Sequence, residues 1–170
     1  MSETRERIAG HIAADPGVHF SALGRELDLA PGQVQYHLHR LLEADRVVSA
    51  DHYGRTHYFT PEYDPWERAA LALLRRETAA DIVGVLMADG PLPAGETAER
   101  AGIARSTLEW HLDRLCEQGL VEKQRDTYGR VTLVLSRPER TARLLKRAEP
   151  SMPARLVDRF TRLVDSLLAE

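Results

Sequence analysis

The sequence predicts a mainly α-helical protein with small β wings, built from two tandem copies of one unit. Two observations carry that prediction. First, VQYHLHRLLEADRVV at 34–48 recurs as LEWHLDRLCEQGLVE at 108–122, so residue n lies opposite residue n+74, and the match runs upstream through Ile8/Ile82, Gly10/Gly84, Ala14/Ala88 and Asp15/Asp89. Second, after each copy the apolar period shifts from 3.6 residues to 2, where helix gives way to strand. A chain of 170 residues then divides into two small units with connections. Units of about 60 residues bury only about 60% of their unfolded surface, so each is expected to lean on a neighbour or on a second chain.

In the first copy, Glu3 to Ala14 reads as a helix with Ile8 and Ile12 inward, ended by Asp15-Pro16-Gly17. Ser21 is placed to cap a short second helix, SALGRELD. Leu29-Ala30-Pro31-Gly32 makes a tight turn, and Pro31, whose fixed φ suits a first helical turn, opens the third helix. There Val34, Leu38, Leu41 and Leu42 form an apolar stripe, with Tyr36, Arg40 and Glu43 on the other side. RVVSA and RTHYF, separated by DHYG, read as a two-stranded wing over 46–60 whose glycine supplies a positive φ. Three helices and a hairpin in this order make a winged helix, assigned to residues 1–60.

Residues 61–76 read as a linker and connecting helix. Pro61-Glu62-Tyr63-Asp64-Pro65 favours an extended path, and WERAALALLRR adds a helix with no counterpart in the first copy. The second winged helix spans 77–136: Thr78 to Met87, ETAERAG, and Ala104 to Gln118 are its helices. On the last of these Leu108, Leu112, Leu115 and Cys116 face inward, while Trp110, Arg114 and Glu117 face out. Its wing is VEKQRD, TYG and RVTLVLS, so Tyr-Gly-Arg closes both hairpins. Residues 137–170 read as C-terminal helices. One opens near Arg137 through a capping box of Ser136 with Glu139. The other follows Pro153, and its Leu156, Phe160, Leu163, Val164 and Leu167 make a seam suited to dimerisation with a second copy of the chain.

The formal net charge is -3, but its distribution matters more: residues 137–170 sum to +3 and the rest to -6. All 23 basic residues except Lys123 and Lys146 are arginine, the side chain suited to phosphates and guanine edges. One cysteine excludes an intramolecular disulfide framework and four-cysteine zinc sites. The charged start MSETRER and the lack of an apolar run near ~18 residues lead to the expectation of a cytoplasmic protein with no membrane partner. No G-x-x-x-x-G-K-[ST] loop, G-x-S-x-G elbow or H-E-x-x-H helix occurs, so a non-enzyme without cofactor is expected.

The x-x-H-L-x-x-L core of each third helix, followed by a hydrophobic strand and a wing, resembles the prokaryotic winged helix-turn-helix regulators of the ArsR and MarR kind. The tandem layout, the YHL and WHL cores, the Pro-Glu-Tyr-Asp-Pro-Trp linker and the C-terminal helix are similar to a haloarchaeal group of two-winged-helix transcriptional regulators, over essentially the whole chain. That resemblance implies sequence-specific binding of double-stranded DNA, with a third helix in the major groove and the wing beside the minor groove.

From the residues alone, the third helix of the first copy offers Gln33, Gln35, Tyr36, His39 and Arg40 for amide contacts to adenine and arginine contacts to guanine or phosphate. A merely solvated polar face is the plainer alternative, and an exposed tyrosine among glutamines and an arginine suits it poorly. The second copy offers Arg105, Ser106, Thr107, Trp110 and Arg114, together with Glu109 and Asp113, which repel phosphate unless arginines neutralise them. Gripping the other repeat through Trp110 is its alternative use. Arg55 and Arg130 follow the wing glycines, where a guanidinium suits a narrow minor groove and a solvated strand end is the plainer reading. His37 and His111 flank the apolar stripes as packing residues. His37 and His39, two apart on a helix, diverge by about 200° and make no metal pair, so no metal site is expected. Cys116 stands where the first copy has Leu42 and reads as a small core residue rather than a redox sensor. The rival to a homodimeric DNA reader is a tandem winged-helix scaffold that binds protein partners in a chromosome-organising or transcription complex.

Overall fold

A computed structural model describes residues 2–148 together with 168 and 169. The seam expected at Leu156, Phe160, Leu163, Val164 and Leu167 lies outside the described residues. The fold is mainly α with small antiparallel sheets, in two compact units that divide between Ala72 and Leu73.

Unit 1 runs α1 (Glu3–Ala14), β1 (Val18–His19), α2 (Phe20–Leu27), α3 (Pro31–Glu43), β2 (Val48–His52) and β3 (Arg55–Phe59). Ser2 caps α1, its hydroxyl oxygen accepting from the Arg5 amide at 3.3 Å. Pro31 is the first residue of α3, and the Gln33 side chain reaches back to accept from the Ala30 amide at 3.1 Å. Ile8, Ile12, Leu23, Val34 and Leu41 are fully buried in one core with Val18 and Val47. Each such side chain contributes about 1.5–3 kcal/mol relative to exposure.

One local expectation for this unit fails. The cap of α2 is His19, whose Nδ1 accepts from the Ala22 amide at 3.4 Å; the Ser21 hydroxyl hydrogen-bonds the same nitrogen at 2.9 Å. The reason is the sheet. Val18 and His19 pair with Tyr58 and His57 as a third strand, so the chain stays extended through His19 and turns helical at Phe20. The expected hairpin forms as β2 and β3, and β1 adds a third strand to its sheet, in the order β1-β3-β2.

The division between units falls within α4 (Pro65–Leu74). Asp64 and Glu67 form a reciprocal box at its start, with the Glu67 amide donating to Asp64 Oδ1 at 2.8 Å and the Asp64 amide to Glu67 Oε1 at 3.0 Å.

Unit 2 repeats the order with α5 (Glu77–Asp89), β4 (Leu92–Pro93), α6 (Ala94–Ala101), α7 (Arg105–Glu117), β5 (Val121–Arg125) and β6 (Val131–Leu135), then adds α8 (Pro138–Ala148). Leu108, Leu112 and Leu115 of α7 are fully buried, and each stands 74 positions after Val34, Leu38 and Leu41 of α3. The capping box expected before α8 does not form. The Ser136 amide donates to Leu120 O at 2.9 Å, which holds this residue at the end of the sheet; among the described residues its buried hydroxyl has no hydrogen-bond partner, and α8 begins at Pro138.

Candidate nucleic-acid interface

The apolar stripe of α3 fixes which way its polar side faces. With Val34, Leu38 and Leu41 sunk in the core, the helix period leaves Gln33, Gln35, Tyr36, His39 and Arg40 exposed, Tyr36 at 57%. Gln33 and His39 on this face are partly engaged: Gln33 Oε1 accepts from the Ala30 amide, and His39 Nε2 lies 3.3 Å from Glu43 Oε1. Among the described residues the Arg40 guanidinium makes no ion pair. It lines an open cleft of about 290 Å³ together with Arg5, Glu43 and Arg46, of which Arg46 is paired with Glu6.

The equivalent face of α7 is organised differently. Trp110 is 43% exposed, and Arg114 lies across it, its guanidinium carbon 3.4 Å from the ring centroid and its Nη1 donating to Trp110 O at 2.7 Å. Arg76 adds a second cation 5.7 Å from the same ring. Contacts of this kind are worth about 0.5–1 kcal/mol at exposed sites, enough to hold the arginine against its own helix. Glu109 is neutralised by Lys123 at 3.1 Å and Arg105 at 3.8 Å, while Ser106 and Thr107 are exposed. Trp110 and Arg114 are outward groups as the sequence predicts, and their i, i+4 spacing is the one that lets them stack on each other.

The wings also differ. In unit 1, His52 pairs with Arg55, leaving Tyr53 and Gly54 as a two-residue turn with φ of 55° and 77°, the double positive φ of a type I′ hairpin. Arg55 is exposed at the start of β3, its Nη1 3.4 Å from His19 Nε2. In unit 2, Arg125 pairs with Val131, so the loop holds residues 126–130. Asp126 organises it: Oδ1 accepts from the amides of Tyr128 at 2.8 Å and Arg130 at 2.9 Å, and Oδ2 from Arg130 Nε at 2.8 Å. Those bonds, led by the Arg130 amide, hold the Asp126 carboxyl below its ordinary range. Arg130 is thus exposed but paired, and Tyr-Gly-Arg occupies different positions in the two turns.

His37 and His111 lie half-buried beside the stripes, each in edge contact with the preceding aromatic, at 5.1 Å from Tyr36 and 4.8 Å from Trp110. Burial, with Arg76 and Arg114 nearby, lowers the pKa of His111. Cys116 is half-buried, and burial pushes its thiol up.

Residues 2–71 match a family described as an N-terminal HTH domain, and residues 73–124 match one described as a helix-turn-helix domain. The chain therefore carries two tandem helix-turn-helix domains, and the matched families are DNA-binding rather than enzymatic. It is also similar to an uncharacterised HTH-type transcriptional regulator of Methanocaldococcus jannaschii, at 23% identity over 126 residues that cover 74% of this chain and 32% of the relative. The chain so spans about a third of that relative's length. No helix among the described residues is long and apolar enough to cross a membrane.

Proposed function

We propose that this tandem pair of helix-turn-helix domains is a homodimeric transcriptional regulator that reads double-stranded DNA in sequence-specific fashion, chiefly through α3 and the wing of unit 1. The observation that carries this reading is the α3 face: Gln33, Gln35, Tyr36, His39 and Arg40 all stand in solvent on a helix whose opposite side is locked in the core. A major groove about 12 Å wide admits such a helix, and glutamine and arginine are the side chains that discriminate adenine and guanine edges there. Arg55 at the wing suits a narrow minor groove. In unit 2, Arg105, Ser106 and Thr107 at the start of α7 serve phosphate contacts, Arg105 being held only loosely at 3.8 Å from Glu109, with Trp110, Arg114 and Arg130 as secondary contributors because these two arginines are more closely engaged.

The homodimer is assigned to the seam of Leu156, Phe160, Leu163, Val164 and Leu167. A two-fold pair presents equivalent α3 helices to successive grooves, with half-sites about 34–36 Å apart or a multiple of that. Truncation before Ser151 is expected to yield a monomer in sedimentation at concentrations where the full chain is a dimer. A truncated chain that stays dimeric moves the seam elsewhere.

The function is tested by enriching duplexes from a random pool with the full-length protein and titrating the winner against salt. A DNA reader loses affinity with a log-log slope near -0.9 per phosphate neutralised. Failure to enrich any duplex, or a flat salt response, overturns the reading in favour of a protein-binding scaffold.

A further inference from the structure

Where α1 meets α2 in unit 1, three side chains converge that the DNA reading does not use. His11, in the last turn of α1, and Asp15, its C-cap, stand one helical turn apart, and Glu26 reaches them from the last turn of α2. One ligand atom from each lies within 4.8 Å of the others, and His11 Nε2 is 2.5 Å from Glu26 Oε2. His11 and Asp15 are half-buried and Glu26 is exposed, so the corner is fixed on the protein side and open to water on the other.

The duplication supplies an independent comparison. Opposite His11, Asp15 and Glu26 stand Val85, Asp89 and Arg100. In unit 2, Arg100 Nη1 lies 3.1 Å from Asp89 Oδ2, so that corner is closed by one carboxylate and one permanent cation. Unit 1 keeps the aspartate, replaces the arginine with a second carboxylate, and replaces the valine with an imidazole. Two carboxylates at this range repel unless a cation lies between them. One imidazole nitrogen and two carboxylate oxygens form a ligand set for a borderline divalent cation, three protein ligands leaving the remaining positions to water.

We propose that His11, Asp15 and Glu26 hold one divalent transition-metal cation of the zinc or nickel kind, clamping α2 to α1. With ligands at about 2.0–2.2 Å from a zinc ion, His11 and Glu26 exchange their direct hydrogen bond for shared coordination. The clamp acts on the two helices that pack α3 in place, and α2 leads directly into the turn before it. The site stands apart from the DNA reading, because its test needs no DNA.

Calorimetric titration of the chelator-treated full-length chain with zinc chloride or nickel chloride alone tests it. The wild-type chain is expected to bind one ion at this corner, with affinity falling at least about tenfold in His11→Gln, Asp15→Asn and Glu26→Gln. Glu26→Arg copies the pairing of unit 2, so it is expected to keep its circular dichroism and melting temperature while losing the ion. The metal should also raise the melting temperature of the wild-type chain and leave that of Glu26→Arg unmoved. No saturable binding of either metal by the wild-type chain, or undiminished binding by Glu26→Arg, overturns the proposal.

Discussion

Unit 1 ties its first helix to the rest of its fold through charges at the surface, whereas unit 2 buries alkyl groups at the same positions. Glu6 and Arg46 meet in two bonds of 2.7 and 2.9 Å, both side chains exposed; 74 residues on stand Ala80 and Leu120, both fully buried. α1 buries Ile8 and Ile12, while α5 buries Ala79, Ala80, Ile82, Val83, Gly84, Val85 and Leu86. The third helices diverge in the same sense. Their inward residues correspond one for one, Val34, Leu38 and Leu41 with Leu108, Leu112 and Leu115, but among the described residues α3 leaves Arg40 without an ion pair and α7 folds Arg114 onto a tryptophan. The two copies share the internal pattern that specifies the fold and differ on their outer faces, so that α3 leaves Arg40 in solvent while α7 pairs Arg114 with its own tryptophan.

The largest expected effect breaks this contrast at its most buried point. Ala80→Glu places in unit 2 the residue that unit 1 carries at position 6, without its arginine. An uncompensated buried charge costs about 3–5 kcal/mol, so the midpoint of urea unfolding should fall sharply. The reverse exchange, Glu6→Ala, removes one exposed partner and should move that midpoint little. Comparable losses in both variants would show that the two first helices are not held differently.

A smaller effect concerns Cys116, which replaces Leu42 on the inward stripe. Cys116→Ala should destabilise by about 1 kcal/mol or less, within the range of ordinary single substitutions, and leave DNA affinity unchanged. Because burial raises the thiol pKa, thiolate is scarce at neutral pH. Labelling by a disulfide reagent should be slow in the folded chain, faster as pH rises, and fast in urea. Rapid labelling of folded protein that also releases DNA would identify a redox sensor instead.

The smallest effect distinguishes the wings. Asp126 has a depressed pKa, so its contribution to the second wing is fully present above the ordinary aspartate range and is lost as pH falls through the depressed value. The amide resonances of Tyr128 and Arg130 should therefore shift together in acid, and Asp126→Asn should abolish the transition. At the turn of Tyr53 and Gly54 the nearby Asp51 accepts from the Thr56 hydroxyl at 2.7 Å rather than from the turn amides, so those amides should show a smaller shift.

What was legible in the sequence follows from periodicity. The buried stripes of α3 and α7 repeat at a fixed spacing of 74 that one chain displays twice, Pro31 marks the start of α3 by its own chemistry, and each wing shows a strand-turn-strand pattern although the second turn is longer. β1 and β4, two residues each, are too short to show a period, and missing β1 led to Ser21 being read as the cap in place of His19. The outward faces were legible as polar, but which polar group was already paired was not. Arg130 with Asp126 and Glu109 with Lys123 are joined across hairpin or helix-to-strand geometry, and His11 with Glu26 across 15 residues of chain. Asp126 did leave one trace, an acidic residue opening a Thr-Tyr-Gly turn.

The central claim is that α3 reads DNA while the matching face of α7 is tied to itself. It is tested most directly by measuring the affinity and salt slope of Arg40→Ala and Arg114→Ala side by side on one enriched duplex. Arg40→Ala should lose about 1–3 kcal/mol if the arginine meets a base, or flatten the salt slope by about one phosphate if it meets the backbone. Arg114→Ala should stay within about twofold of the parent, since its guanidinium is spent on Trp110. Unchanged binding by Arg40→Ala together with a large loss in Arg114→Ala would contradict the account and place the reading helix in the second unit.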